Sequence, residues 1–258
     1  MDWTDDAIVL SAQRHGENSL VVTLLTASHG RHAGLVRGGQ SARSRGTWQT
    51  GNRALVRWGA RLAEHLGTLT GELAHSPLAT LLDEPDRLAA LAAAAAVAEV
   101  ALPDREPCPG AYESVDALLH AVERQSDWAE RYVAWELALL GELGFGLDLS
   151  SCAATGTTGN LTYVSPKSGR AVSREAGQPY ADKLLPLPRF LAQPGVNAPA
   201  EPAALVDGMF LTGYFLRHHV LHDRPLPAAR ERLIDRFRRM VAISGGGSSV
   251  PDTISSLT

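Results

Sequence analysis

Apolar positions in the first part of the chain recur with a period of two. Residues 6–14 hold the run Ile8-Val9-Leu10, and residues 19–26 hold Leu20-Val21-Val22-Thr23-Leu24-Leu25. His29-Gly30 makes a turn, and residues 31–37 follow as a third candidate strand. Residues 52–58 place Ala54, Val56 and Trp58 on one face, and residues 66–73 alternate Thr68 and Thr70 with Leu69. Short alternating runs with β-branched members, set between Gly-rich turns, read as half-buried strands. Five of them ahead of residue 80 predict a small barrel, for which the OB-fold is the natural five-stranded choice. Residues 38–50, rich in Gly, Ser and Arg, read as a mobile loop between the third and fourth strands.

The period changes to a helical one after Ser76-Pro77. Residues 86–102 form an alanine-rich helix stopped by Pro103, and residues 112–124 form a second. Asp127 and Glu130 have capping-box spacing, and Trp128, Tyr132, Trp135, Leu139 and Leu143 follow at steps of three and four until Gly144 and Gly146. Residues 147–182 lose the apolar period and gain Gly, Ser and Thr. Helices resume over residues 184–190, then with Leu205, Met209, Phe210, Leu216 and Val220, and again from Pro227 to about Met240 with Leu233, Ile234 and Phe237 inward. The expected class is multidomain α+β. A barrel spans 1–78 and an all-helical domain spans 79–243, interrupted by an insertion at 150–182 in which Gly156, Gly159 and Gly169 supply turns, Leu161, Tyr163 and Val164 a short strand, and Thr155, Thr157 and Ser168 the hydrogen bonds that hold a metal-free loop. Residues 244–258, rich in Gly and Ser, read as a disordered tail.

Charge alters this picture, because the net value of −4 averages over a segregated distribution. Residues 31–61 carry seven arginines, Arg31, Arg37, Arg43, Arg45, Arg53, Arg57 and Arg61, and no Asp or Glu. Residues 81–258 carry 16 basic and 22 acidic side chains. Guanidinium groups pair with phosphates and stack on bases, and aromatic rings among them suit single-strand binding. Trp58 lies in an alternating strand and reads as core. Trp48 lies in the loop and is a candidate base platform. The plain alternative is a solvated arginine face in a chain whose only lysines are Lys167 and Lys183.

The remaining constellations point away from enzymes and metals. Cys152 has Thr155 where a zinc ribbon needs its second thiolate, and no cysteine follows, so Cys108 and Cys152 read as bystander thiols in a reducing compartment. His218 and His222 have metal-ligand spacing, yet the Glu of a zinc-protease helix is missing. Neither Gly156-Thr157-Thr158-Gly159 nor Gly245-Gly246-Gly247 is followed by the Lys-Ser/Thr of a phosphate loop. Asp83-Glu84-Pro85-Asp86 reads as a helix start. No apolar run reaches membrane-spanning length, and the start Met1-Asp2-Trp3-Thr4-Asp5-Asp6 is acidic, so a cytoplasmic protein without a signal peptide is expected.

The order of landmarks resembles the RecO family of bacterial recombination mediators, in its alphaproteobacterial form. The matching strings are Asp6-Ala7-Ile8-Val9-Leu10, Gly16-Glu17-Asn18-Ser19, Leu35-Val36-Arg37-Gly38 and Gln49-Thr50-Gly51-Asn52. Leu140-Gly141-Glu142-Leu143-Gly144-Phe145 leads into Leu147-Asp148-Leu149 and Cys152, and Tyr163-Val164-Ser165-Pro166-Lys167-Ser168-Gly169-Arg170 follows. The resemblance implies an amino-terminal OB-fold and a helical domain with a zinc-finger-like insertion, here without its cysteines. It implies binding to single- and double-stranded DNA, annealing of complementary strands, and no catalysis. Implied partners are RecR and the tail of single-stranded-DNA-binding protein, with RecA loaded as the result. Zinc is not carried over. Arg31, Arg37, Arg43, Arg45, Trp48, Arg53, Arg57 and Arg61 are the expected DNA-binding residues. A nuclease would need clustered acids beside the basic stretch. A protein adaptor that has lost DNA binding is the alternative.

Overall fold

The structure is a computed structural model that describes residues 1–62, 64–193 and 199–244. Its first strands are β1 (Asp2–His15), β2 (Ser19–Thr26), β3 (Gly30–Val36), β4 (Arg53–Gly59) and β5 (Thr68–His75). They close into a barrel in the order β1-β2-β3-β5-β4. β1 serves two neighbours: residues 2–8 pair with β4 and residues 7–15 with β2. A register shift between Val9 and Ser11 bends it to do so. Closure comes from a parallel contact of β3 with β5, at Leu35 and Thr68.

Alternation dictates what fills this barrel. Ala7, Val9, Val22, Leu24, Val36, Ala54, Val56, Trp58 and Leu69 point inward and form one apolar cluster. Trp58 shares its indole N–H between the carbonyls of Ala33 (3.2 Å) and Leu66 (2.9 Å). Gly67 makes that possible: its φ is +72°, and a Cβ there would lie 2.4 Å from the indole.

Helices α2 (Leu78–Leu81), α3 (Pro85–Ala101) and α4 (Pro109–Arg124) follow. The chain then divides into two compact units, 1–128 with 227–230, and 129–226 with 231–258. The three helices, assigned to the second domain on sequence grounds, group with the barrel in the first unit. The reason lies in α3, whose alanine face packs on β1 and β2. Ala90, Ala93, Ala94 and Ala98 are buried, and small side chains permit that approach.

The second unit holds most of α5 (Trp128–Glu142), then α8 (Pro202–Phe215), a π-helical turn (Leu216–Val220) and most of α9 (Ala228–Ser244). Glu136, fully buried on α5, accepts hydrogen bonds from Tyr132 Oη (2.9 Å) and from Thr212 Oγ1 of α8 (2.5 Å). Gly208 lets the two helices approach, since a Cβ there would meet Val133 at 2.7 Å.

Two expectations need correction. The short strand expected at Leu161, Tyr163 and Val164 is β6 (Leu161–Val164), but the unit is less helical than expected, because β7 (Ala171–Ser173) and β8 (Leu185–Pro186) join it in a three-stranded sheet in the order β7-β6-β8. The helix expected over residues 184–190 is therefore β8 and the short α7 (Arg189–Ala192), preceded by α6 (Arg174–Gly177) and a 3₁₀ turn (Gln178–Lys183). Pro186 and Pro188 explain this. Each lacks an N–H and biases the residue before it toward extended backbone, so β8 forms beside β6. The disordered tail expected over 244–258 lies, beyond Ser244, outside the described residues.

Candidate nucleic-acid interface

The segment between β3 and β4 carries Arg37, Arg43 and Arg45 without an acid, and it is pinned in place rather than left as a free loop. Gly38 turns the chain with φ +67°. Gln40 then bonds to the β1–β2 turn through Nε2 to the carbonyls of Gly16 (3.1 Å) and Ser19 (3.0 Å), and through its backbone N–H to Asn18. Ser41 caps a four-residue helix, α1 (Ala42–Arg45). Asn52 Nδ2 holds the far end by donating to the carbonyls of Gly46 (2.7 Å) and Thr47 (3.2 Å).

Trp48 is the anchor of this segment. Its ring is 4% exposed, lies in the barrel's apolar cluster, and donates its indole N–H to Ser44 Oγ at 3.1 Å. The assignment of Trp48 as a base-stacking platform is thus corrected: the largest apolar side chain of the segment closes the core. Trp3 stacks with His29 (4.2 Å) and with Trp58 (5.5 Å), and residues 1–80 contain no Phe or Tyr. The barrel carries exposed cations without an exposed large aromatic ring beside them.

The arginines separate into groups. Arg37 and Arg43 are exposed and have no ion-pair partner among the described residues. Arg45 is exposed and donates to the carbonyl of Gln40 at 2.8 Å. Arg61 is exposed in the β4–β5 connection and lines a shallow pocket with Leu35 of β3 and His65. Arg57 is exposed but neutralised by Asp2 at 2.8 Å, and that hydrogen bond and charge hold the Asp2 carboxyl below its ordinary value. Arg31 and Arg53 are structural. Arg31 Nε donates to the Leu102 carbonyl (2.9 Å), with Asp104 at 3.7 Å, while Arg53 pairs with the Asp116 carboxylate and carbonyl. A stretch without a single acid in sequence is supplied with three from elsewhere in the fold.

Strand register adds a residue that the sequence window missed. Arg14 of β1 pairs opposite Leu20, and Leu20 pairs opposite Val36, the neighbour of Arg37. Exposed Arg14 thus shares the barrel end with Arg37 and with the Gln40 strap, next to the turn that carries Glu17. Only the pairing of β1, β2 and β3 reveals that proximity.

Two family models account for most of the chain. Residues 1–77 match the model described as Recombination protein O N terminal, and residues 82–227 match Recombination protein O C terminal. The chain belongs to the RecO family. Similar proteins, each named DNA repair protein RecO, include that of Rhodospirillum centenum, 53% identical over 249 residues that cover 95% of this chain and 98% of that protein. The RecO of Rhodospirillum rubrum is 50% identical over 249 residues, covering 94% and 98%. That of Phenylobacterium zucineum is 49% identical over 241 residues, covering 92% and 98%. The barrel is OB-like in strand order, and no helix among the described residues is long and apolar enough to cross a membrane.

The insertion brings Cys152 no second thiolate with which to hold a metal. Cys152 is 1% exposed and receives the Ser173 N–H on Sγ at 3.2 Å. Burial pushes its thiol up, but hydrogen bonds from Thr155, Ser173 and Ala154 outweigh burial and bring it down to about 6. The Cys152 N–H bonds the Thr157 carbonyl (2.7 Å), and the Gly156 N–H returns to the Cys152 carbonyl (2.8 Å). Hydrogen bonds of Thr155 and Thr157 organise this loop, whereas Ser168 contributes no side-chain bond among the described residues.

Proposed function

We propose that this chain is a DNA-binding recombination mediator of the repair pathway. In this reading the OB-like barrel holds single- and double-stranded DNA along Arg14, Arg37, Arg43, Arg45 and Arg61. It anneals complementary strands, and with RecR it helps load RecA on DNA coated by single-stranded-DNA-binding protein, whose tail it contacts. The observation that carries the reading is the exposure of Arg37 and Arg43, which have no ion-pair partner among the described residues, on a hydrogen-bonded segment in a chain of the RecO family. Arg57 is a peripheral contact, available only when Asp2 yields it. The mechanism is electrostatic: phosphates bind guanidinium groups, counterions leave, and no base is read. Annealing follows from such a grip, since two strands of any sequence can share one cationic surface while their bases remain free to pair. No step requires a catalytic group, a metal or a cofactor.

Titration of a labelled single-stranded oligonucleotide, and of its duplex, at several salt concentrations tests the reading. Tight binding that weakens steeply with salt, similar for unrelated sequences, is expected. Weak binding without salt dependence would instead mark a protein adaptor of the pathway.

A further inference from the structure

A pocket of about 600 Å³ opens in the second unit, between the small sheet and α7. Its walls include Asn160, Thr162 and Tyr163 at β6, Arg174 at the start of α6, Arg189 of α7 and Asp207 of α8. It lies apart in sequence from every arginine of the barrel.

Its two cations are available. Arg174 is exposed, and its side chain has no partner among the described residues. Its backbone is fixed by a hydrogen bond to the Asn160 carbonyl (2.8 Å) and by the Ser173 cap on Ala176. Arg189 spends only Nε, on Gln193 Oε1 at 3.4 Å, so its two terminal nitrogens remain. Asn160 is held at φ +52° and donates to Glu175 Oε1 at 3.2 Å. That bond occupies the acid nearest to Arg174 in sequence.

Asp207 is the one acid among the described residues of the lining, and burial raises its carboxyl above the ordinary value.

We propose that this pocket binds a single nucleotide, its phosphate taken by Arg174 and Arg189 and its base and sugar by the remaining lining, which includes Asn160, Tyr163, Leu161 and Leu187. Two guanidinium groups suit phosphate oxygens. A bare phosphate would leave most of the space empty, whereas the volume lies in the range of small-molecule sites. The preference for a nucleotide over other phosphorylated ligands rests on the nucleic-acid reading above. The source is either a free nucleotide or the phosphorylated end of a strand.

The test uses the full chain. Thymidine monophosphate is titrated calorimetrically against the wild type, Arg174→Ala/Arg189→Ala and Arg37→Ala/Arg43→Ala. One site is expected in the wild type, weakened on the order of tenfold for each guanidinium removed. The barrel variant should leave it unchanged. Oligonucleotides with and without a 5′-phosphate distinguish the sources. A phosphate-dependent gain that needs Arg174 and Arg189 places a strand end in the pocket, and binding of the mononucleotide alone places a free nucleotide there. Absence of mononucleotide binding, survival of it in the double variant, or equal affinity for inorganic phosphate or an acidic peptide overturns the proposal. Oligonucleotide affinity of the wild type is read in parallel. Its persistence alongside a silent pocket refutes this site only, and its loss refutes the mediator reading.

Discussion

Replacing Trp48 separates a core role from a base-stacking role. The ring is 4% exposed, belongs to the barrel cluster and donates one hydrogen bond to Ser44. Truncating a buried Trp to Ala removes its transfer free energy and leaves a cavity, at a cost of about 3–5 kcal/mol. For a protein of this size each kcal/mol moves Tm by about 2–4 °C, so Trp48→Ala should melt about 6–20 °C below the wild type. Trp48→Phe keeps most of the apolar volume and loses the indole bond, so about 1–2 kcal/mol is expected. The assay is urea unfolding followed by circular dichroism, paired with oligonucleotide titration of the Phe variant well below its midpoint. Since Trp48 does not touch DNA in this account, the folded Phe variant should bind as the wild type does. DNA should also leave the intrinsic tryptophan fluorescence of the barrel unquenched. Unchanged stability in Trp48→Ala together with lost affinity would refute the reasoning and restore the ring as a base platform.

Three further outcomes follow from the same geometry. His32 is buried with both ring nitrogens unpartnered, and desolvation, then the charge of Arg105, lowers its pKa from 6.5. The unfolded chain takes up that proton first, so stability falls as pH drops below 6.5 and flattens below the folded-state pKa. His32→Phe should flatten this part of the pH–stability curve, and a curve identical to that of the wild type would contradict it. Arg57→Ala should leave stability close to that of the wild type, because its pair with Asp2 is exposed, while Arg53→Ala should cost about 1–3 kcal/mol by stranding the half-buried Asp116. Equal effects in chemical denaturation would remove the distinction between structural and surface arginines. Gly67→Ala should destabilise the barrel strongly by driving a Cβ into Trp58, and a melting temperature equal to that of the wild type would show the close approach to be unimportant.

How much of this was legible in sequence depends on the range of the interaction. Period-two runs report a local property, which face is buried, and they located all five barrel strands and the inward set Ala54, Val56 and Trp58. Helical periods located α3, α4, α5, α8 and α9 for the same reason. The small sheet was less visible, because β8 is only two residues and exists by pairing with Tyr163 and Val164. Trp48 misled because composition marked its surroundings as loop, whereas its burial is decided by distant strands. The arginine window was read as free of acids, yet Asp2, Asp104 and Asp116 arrive from elsewhere in the chain. Arg14 joins the surface only through strand register, so no window along the chain could have included it for that reason.

The central claim is that DNA is gripped at the barrel end by phosphate contacts, and the salt dependence of binding in Arg37→Ala/Arg43→Ala tests it most directly. Both side chains are exposed and have no ion-pair partner among the described residues, so the variant should fold with wild-type stability. The slope of log affinity against log salt should become shallower by about 1.4 on single strands and about 1.8 on duplex, equally for unrelated sequences. A slope and affinity equal to those of the wild type on both substrates would contradict the account and move the DNA path off the barrel.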